Sequence, residues 1–453
     1  MERFHLGRKE KKMGTSLNSI KIENRKRISY LVLLIGLIFL TTAFIVEKPN
    51  EVLRGEWEII TSPGILITDF IALSNLGSAF FNAGLTTLMG LGLAWLIKAQ
   101  FNGYLLSAIF TLAGFSFFGK TPFNIVPIFI GVYLYDAFFS HQPMRDLIAP
   151  LLFGTTLGPI VSQVAFGFGW GWSGVVVGIV LGVICGGLVA AISGHVFTFH
   201  QGYNLYNTGT SAGFIGTVVY MMMRGFGLQI DPVFYWSSEY TNFLSLYVFL
   251  LLIVLIIFGL LWGANYSNYK KILKCSGRLA SDYVEMADLG TTMVNMGIIG
   301  IIGLGYVCLV GGEVNGPIIA GIFTIAGFGA LGKHPRNILP VMIGVYLICI
   351  PKVWAHTDPG PILAALFCTT LAPLSGRFGF LAGLAAGALH LPMVMHVGGL
   401  HGYMNLYNNG FAGGLAMLII VGFIKGLKPQ ILEEDWFRKP FIKLKKKDSQ
   451  KVN

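Results

Sequence analysis

The chain has 453 residues, of which 54% are hydrophobic, only 12% are charged and 59 are glycine. A soluble domain carries about 25% charged residues and roughly 7% glycine, so these charges are too few to cover a water-facing surface. Disordered, fibrous and nucleic-acid-binding classes are excluded, and one polytopic membrane protein remains.

The net charge of +11 is concentrated at the ends. Before Ile28 lie Arg3, Arg8, Lys9, Lys11, Lys12, Lys21, Arg25, Lys26 and Arg27, and residues 425–453 carry a second basic cluster. Basic tails beside apolar spans mark the cytoplasmic side and lie against anionic lipid. Both termini are therefore expected in the cytoplasm of a cell carrying this protein in its plasma membrane. The expected partners are lipid and a small solute, with no nucleic acid.

In chain order, residues 1–27 form the N-tail. The run ISYLVLLIGLIFLTTAFIV from Ile28 follows a long polar stretch and is long enough to cross a bilayer, so a retained first span is predicted rather than a signal peptide. Further apolar segments fall near 78–97, 103–118, 123–140, 147–165, 172–192 and 205–223. The segment 103–118 is short and glycine-rich, and 147–165 is interrupted by Thr155-Thr156 and Pro159, so both are candidates for re-entrant elements. This first membrane half, 28–224, is followed by an extracytoplasmic linker, 225–240, a second membrane half, 241–425, and a basic C-tail, 426–453.

The second half repeats the first. Shifting the chain by 213 residues sets Asn75–Leu134 on Asp288–Leu347 with 27 identities in 60 pairs. FNGYLLSAIFTLAGF meets VNGPIIAGIFTIAGF, and GKTPFNIVPIFIGVYL meets GKHPRNILPVMIGVYL. Charge then orders the copies. The first span leaves a basic end and arrives at acidic EKPNEVLRGEWE; its counterpart leaves acidic GLQIDPVFYWSSEY and arrives at basic NYKKILKCSGR. Equivalent spans thus point in opposite directions. The expected fold is an all-α polytopic membrane protein whose two homologous halves form an inverted-topology repeat. It has about 10–14 transmembrane elements, some broken or re-entrant.

Such repeats hold their site near the midplane, where irregular backbone lines a wet cavity. Polar motifs that interrupt apolar runs at matched positions are therefore the candidates. The first is HxxxxHxxxNLYN: His195, His200, Asn204, Tyr206 and Asn207, repeated as His396, His401, Asn405, Tyr407 and Asn408. Amides, imidazoles and a phenol supply donors and acceptors without fixed charge, which suits a neutral polar solute or an anion held by donors. The alternative is that they staple helices together. Spacing of five puts the two histidines on different helix faces, so no metal site is expected.

The second is GKxPxN, with Lys120 and Asn124 matched by Lys333 and Asn337. Its proline favours a helix start, and its lysine either adds positive charge for an anion or snorkels to the interface. The third is TTxxP, with Thr155 and Thr156 matched by Thr369 and Thr370, hydroxyls that line a pore or bond their own helix. Asn82/Asn295 and Asn102/Asn315 read as packing and turn positions. GFSFFGKT, GTSAG and GWGWSG fit soluble-enzyme patterns by letter only, since the first two lose their key hydroxyl in the second copy and the third is weak alone. The five cysteines are scattered without a CxxC and read as apolar packers.

These duplicated blocks resemble a family of bacterial, clostridial-type membrane proteins that carry a domain of unknown function. More distantly, the architecture is similar to urea transporters, inverted-repeat channels for a small neutral amide. KTPF (Lys120 to Phe123) looks like their TxPF signature and GYN (Gly202 to Asn204) like their GYNG element. The second half departs, with KHPR and GYM in those places. The expectation is a facilitator or carrier for a small polar neutral or anionic solute, without a cofactor and not an enzyme. The alternatives are an intramembrane enzyme on a lipid-type substrate using His200 or His401 as base, and a structural or regulatory subunit of a membrane complex.

Overall fold

The computed structural model describes residues 2–279, 281–351 and 353–427. The C-tail from residue 428 lies outside the described residues. The fold is all-helical. Among the described residues, nine helices are long and apolar enough to cross a membrane, and this is a multi-pass membrane protein.

Each half contributes seven helical elements in equivalent order. In the first they are Glu2–Val46, Leu76–Leu96, Gly103–Phe115, Pro122–Tyr135, a broken element from Ile148 to Ser162, Gly171–His200 and Asn207–Gly225. In the second they are Thr241–Leu261, Leu289–Leu309, Gly316–Phe328, Pro335–Cys349, a broken element from Pro359 to Phe378, Phe380–Val397 and Asn408–Leu427. The expected first span is thus the end of a helix that begins at Glu2. The element expected over 172–192 runs on to His200, because Ser193, Gly194 and His195 are accommodated within the helix and only left-handed Gln201 and Gly202 stop it.

Of the two candidates for re-entrant elements, the first is a short helix and the second is broken. Gly103–Phe115 has 13 residues, about 20 Å of helix against a hydrocarbon core of roughly 30 Å. Twelve of those residues are buried, against the equally short Gly316–Phe328. The TTxxP elements each pass through a 3-10 turn, Thr155–Leu157 and Cys368–Leu371, before proline restarts the α-helix.

Packing repeats along with the sequence. Glu2–Val46 lies on Leu76–Leu96 as Thr241–Leu261 lies on Leu289–Leu309, and Pro122–Tyr135 lies on Gly171–His200 as Pro335–Cys349 lies on Phe380–Val397. Two equivalent pairs join the halves: Gly103–Phe115 with Gly316–Phe328, and Asn207–Gly225 with Asn408–Leu427. In the first pair Gly114 approaches Ala320 while Gly327 approaches Phe110, so these equivalent helices run antiparallel. Asp282 of the second half accepts a hydrogen bond from the Gly103 N–H at 2.9 Å, which adds a cap from across the junction to the one from Asn102.

A short amphipathic helix follows the first span of each half, acidic Pro49–Ile60 and basic Tyr266–Lys274. Glu56 on the first is only 6% exposed, and neither carboxylate oxygen has a hydrogen-bond partner. Burial pushes its pKa from 4.5 up to about 8. A raised carboxyl pKa favours the protonated folded state, so this contribution is complete below the unfolded value and is lost as pH climbs through about 8. Glu56→Gln is expected to flatten that fall, checked by thermal unfolding between about pH 5 and pH 9. Equal slopes for both proteins would contradict it.

Candidate functional site

Both HxxxxHxxxNLYN segments break a helix. Gly171–His200 ends at Gln201 and Gly202, with φ of 49° and 80°, and its partner ends through a 3-10 turn at Gly402 and Tyr403, with φ of 56° and 60°. An extended stretch follows, and new helices start at Asn207 and Asn408. The inner histidine of each half holds this break. His200 Nδ1 accepts the Gly202 N–H at 3.2 Å, so Nε2 carries the proton and donates to Asn207 Oδ1 at 2.8 Å. His401 Nδ1 accepts the Asn405 N–H at 3.3 Å and Nε2 donates to Asn408 Oδ1 at 2.9 Å. The amides of Asn207 and Asn408 donate in turn to the carbonyls of Ser193 and Val394. These four side chains shape the turn, and Asn207 and Asn408 also each line a cavity.

The outer histidines are elsewhere. His195 and His396 are exposed, the latter bonded to the Pro392 carbonyl and set against Trp354. Asn124 and Asn337 are helix caps: each accepts from the backbone N–H of the N-cap residue and donates to a glycine carbonyl, Gly119 or Gly332. Thr155 donates to its own helix at the Leu152 carbonyl.

The remaining motif residues bind across the two halves. Thr156 donates to Asn405 Oδ1 at 2.8 Å and accepts the Tyr407 N–H at 2.8 Å. Thr370 does the same for Asn204 Oδ1 and the Tyr206 N–H. Asn204 Nδ2 donates to the Gly410 carbonyl at 3.0 Å, and Asn405 Nδ2 to the Gly209 carbonyl at 3.2 Å. Each half thus holds the other's irregular strand.

Lys120 and Lys333 do not snorkel. Both are fully buried, because Asn82 and Asn295 clamp the lysine carbonyls and turn the side chains inward. Lys120 Nζ donates to Tyr407 Oη at 2.6 Å, and Lys333 Nζ to Tyr206 Oη and to Thr369 Oγ1 at 2.7 Å. Each Nζ also lies over two rings, Phe115 and Tyr407 for Lys120, Tyr206 and Phe328 for Lys333. No ion pair among the described residues includes either lysine.

The tyrosines wall a central cavity of about 130 Å³. Its other walls are Phe115, Phe153, Phe328 and Phe367, with Thr111 and Thr324. The sequence reading missed these residues, although each pair is identical in the repeat (Phe115/Phe328, Phe153/Phe367, Thr111/Thr324). An apolar identity between two copies serves packing as readily as a binding wall, so the signal was present but did not discriminate. From this chamber one side leads toward Tyr104 and Leu279. A second cavity of about 390 Å³ leads toward Leu66 and Pro232, and Leu66 is the repeat equivalent of Leu279. The two cavities share Phe367, Leu406 and Asn409.

A family model described as a protein of unknown function, DUF1576, matches residues 48–225 and 263–426. No curated protein and no solved structure matches the chain.

Proposed function

The chain belongs to the DUF1576 family, and from the geometry of its junction we propose that it conducts a small polar neutral or anionic solute across a membrane. The observation that carries this reading is the pair of cavities, related through the repeat and meeting at Phe367, Leu406 and Asn409. An inverted repeat makes those cavities face opposite sides of the bilayer. Two features support the inversion. Equivalent helices cross antiparallel at the junction, and the equivalent amphipathic helices carry opposite charge, Glu51 and Glu58 against Lys270, Lys271 and Lys274. On this reading the basic end is cytoplasmic, with both chain termini. The urea-transporter likeness agrees in architecture and enters only as analogy.

An intramembrane enzyme acting on a lipid-type substrate is the weaker reading. His200 and His401, its candidate bases, have both ring nitrogens engaged by the break they hold.

Purified protein in proteoliposomes is expected to pass small solutes such as formate, nitrate or formamide faster than empty vesicles. Asn409→Trp places a large side chain at the shared constriction and is expected to remove most of that flux while the protein remains monodisperse and folded. Wild-type protein that passes none of these solutes would refute the transport reading, and unaltered flux in the Trp variant would refute a path through these two cavities.

A further inference from the structure

We infer that the central chamber selects a small monovalent oxyanion, of the carboxylate or nitrate kind, over neutral amides and over cations. This rests on the chamber being the solute path.

The amines of Lys120 and Lys333 flank the chamber with no carboxylate beside them among the described residues, so a bound anion is the countercharge that would hold them protonated. A buried charge is tolerated at low cost only when an opposite charge meets it. The lysines do not line the cavity; each stands behind a tyrosine that does. A phenol oxygen that accepts from an ammonium retains its own O–H to donate, so the positive charge is relayed as a hydrogen-bond donor. Tyr206 and Tyr407 bring two such groups to the wall from opposite halves.

A third donor is asymmetric. Asn409 lines both cavities, and its Oδ1 is held by Nε2 of the fully buried His390 at 2.9 Å. With His390 as the donor in that bond, Nδ2 of Asn409 remains to donate to a solute. The repeat equivalents of His390 and Asn409 are Val189 and Thr208, so this device belongs to one side only. Of the wall's three threonines, Thr111 and Thr324 contribute no protons, since they donate to Ser107 and Ala320 on their own helices, and Thr208 brings a hydroxyl where the other half has Asn409.

Cations are disfavoured twice. Like charge repels them, and the aromatic faces of Phe115, Phe328, Tyr206 and Tyr407 already carry the lysines. A neutral amide would bring no countercharge to either lysine. A cavity of about 130 Å³ admits a solute of only a few heavy atoms, since a cavity of about 150 Å³ just holds a six-membered ring.

The test is thermal unfolding of the purified full-length chain with sodium formate, acetate or nitrate, at an ionic strength held constant with sodium gluconate. Formamide, urea and tetramethylammonium serve as comparison solutes. Saturable stabilisation by the small anions alone is the expected result. Tyr206→Phe/Tyr407→Phe keeps the shape and removes both relayed donors, and is expected to weaken formate binding about tenfold or more. Lys120→Met/Lys333→Met is expected to abolish it. Because the methionine pair removes buried charge, its own melting temperature is recorded without ligand, and the phenylalanine pair decides the matter if the methionine pair does not fold. Stabilisation by the amides but not the anions, or undiminished formate binding in the phenylalanine pair, would overturn the inference. Anion binding without vesicle flux would overturn transport and leave anion selection standing. Amide flux without anion binding would do the reverse.

Discussion

Gly209→Val is expected to yield no monodisperse protein, and Gly410→Val to behave alike. A Cβ at position 209 would lie 2.9 Å from Tyr407 Cβ, 3.0 Å from the Tyr407 carbonyl oxygen and 3.1 Å from Gly410 Cα. At position 410 it would meet the matching atoms of Tyr206 and Gly209 at 2.9–3.0 Å. Most of these neighbours are backbone, and on both sides they belong to the same crossing, so no rotamer change gives room. The helices Asn207–Gly225 and Asn408–Leu427 would have to separate. Overpacking alone costs about 1–3 kcal/mol. Here separation would also stretch the bonds from Asn204 to Gly410 and from Asn405 to Gly209, each worth about 1 kcal/mol. Gly92→Ala is the control. That glycine lies in a regular helix with nothing within 4 Å of the added carbon, so alanine is expected to be neutral or stabilising by up to about 1 kcal/mol. Size-exclusion profiles and melting temperatures separate the two classes. A Gly209→Val protein that melts within a few degrees of wild type would show that the crossing is loose.

The repeat and its breaks were legible because they rest on features that a single chain displays by itself. Apolar runs fix the elements, proline and glycine fix the interruptions, and 27 identities over 60 pairs fix the equivalence. Which polar residues face one another was not legible, because it depends on the partner half. His195 and His200 stand in the same motif, yet one is exposed and the other fully buried. Five residues along a helix turn a side chain through about 140°, and nothing local says which face meets the other half. Lys120 posed the same problem. At a helix start a lysine usually reaches for the interface, and only the clamp from Asn82 and the tyrosine of the opposite half make an inward course possible. The aromatic wall escaped notice for the converse reason. Phe115 and Phe367 lie 5.5 Å apart, ring to ring, from helices more than two hundred residues apart in the chain, and a lone phenylalanine in an apolar run carries no mark of that.

Leucine at Asn204 is the substitution expected to separate a binding site from a structural joint most sharply, because size is nearly kept while every polar contact is lost. Asn204 accepts from Thr370 Oγ1 and the Tyr206 N–H and donates to Thr210 Oγ1 and the Gly410 carbonyl. All of these groups are buried, and a buried group left without a partner costs about 1–3 kcal/mol. Some find substitutes: the Tyr206 N–H keeps Thr370, and Thr210 keeps the Gly410 carbonyl. The expected net loss is therefore about 3–5 kcal/mol rather than the full sum. Asn405→Leu should cost less by about 1 kcal/mol, since the position equivalent to Thr210 is Phe411 and Asn405 has no hydroxyl to hold there. The two changes are expected to couple strongly, because each loosens the same crossing of Gly209 and Gly410. Chemical denaturation in detergent gives the stabilities, with His195→Ala as an exposed reference expected within about 0.5 kcal/mol of wild type. If Asn204→Leu proves as stable as that reference while flux is lost, the asparagines bind solute and the crossed network is not what joins the halves. If stability falls in the order given, the NLYN elements are the joint, and solute contacts belong to the tyrosines and Asn409 that the joint holds in place.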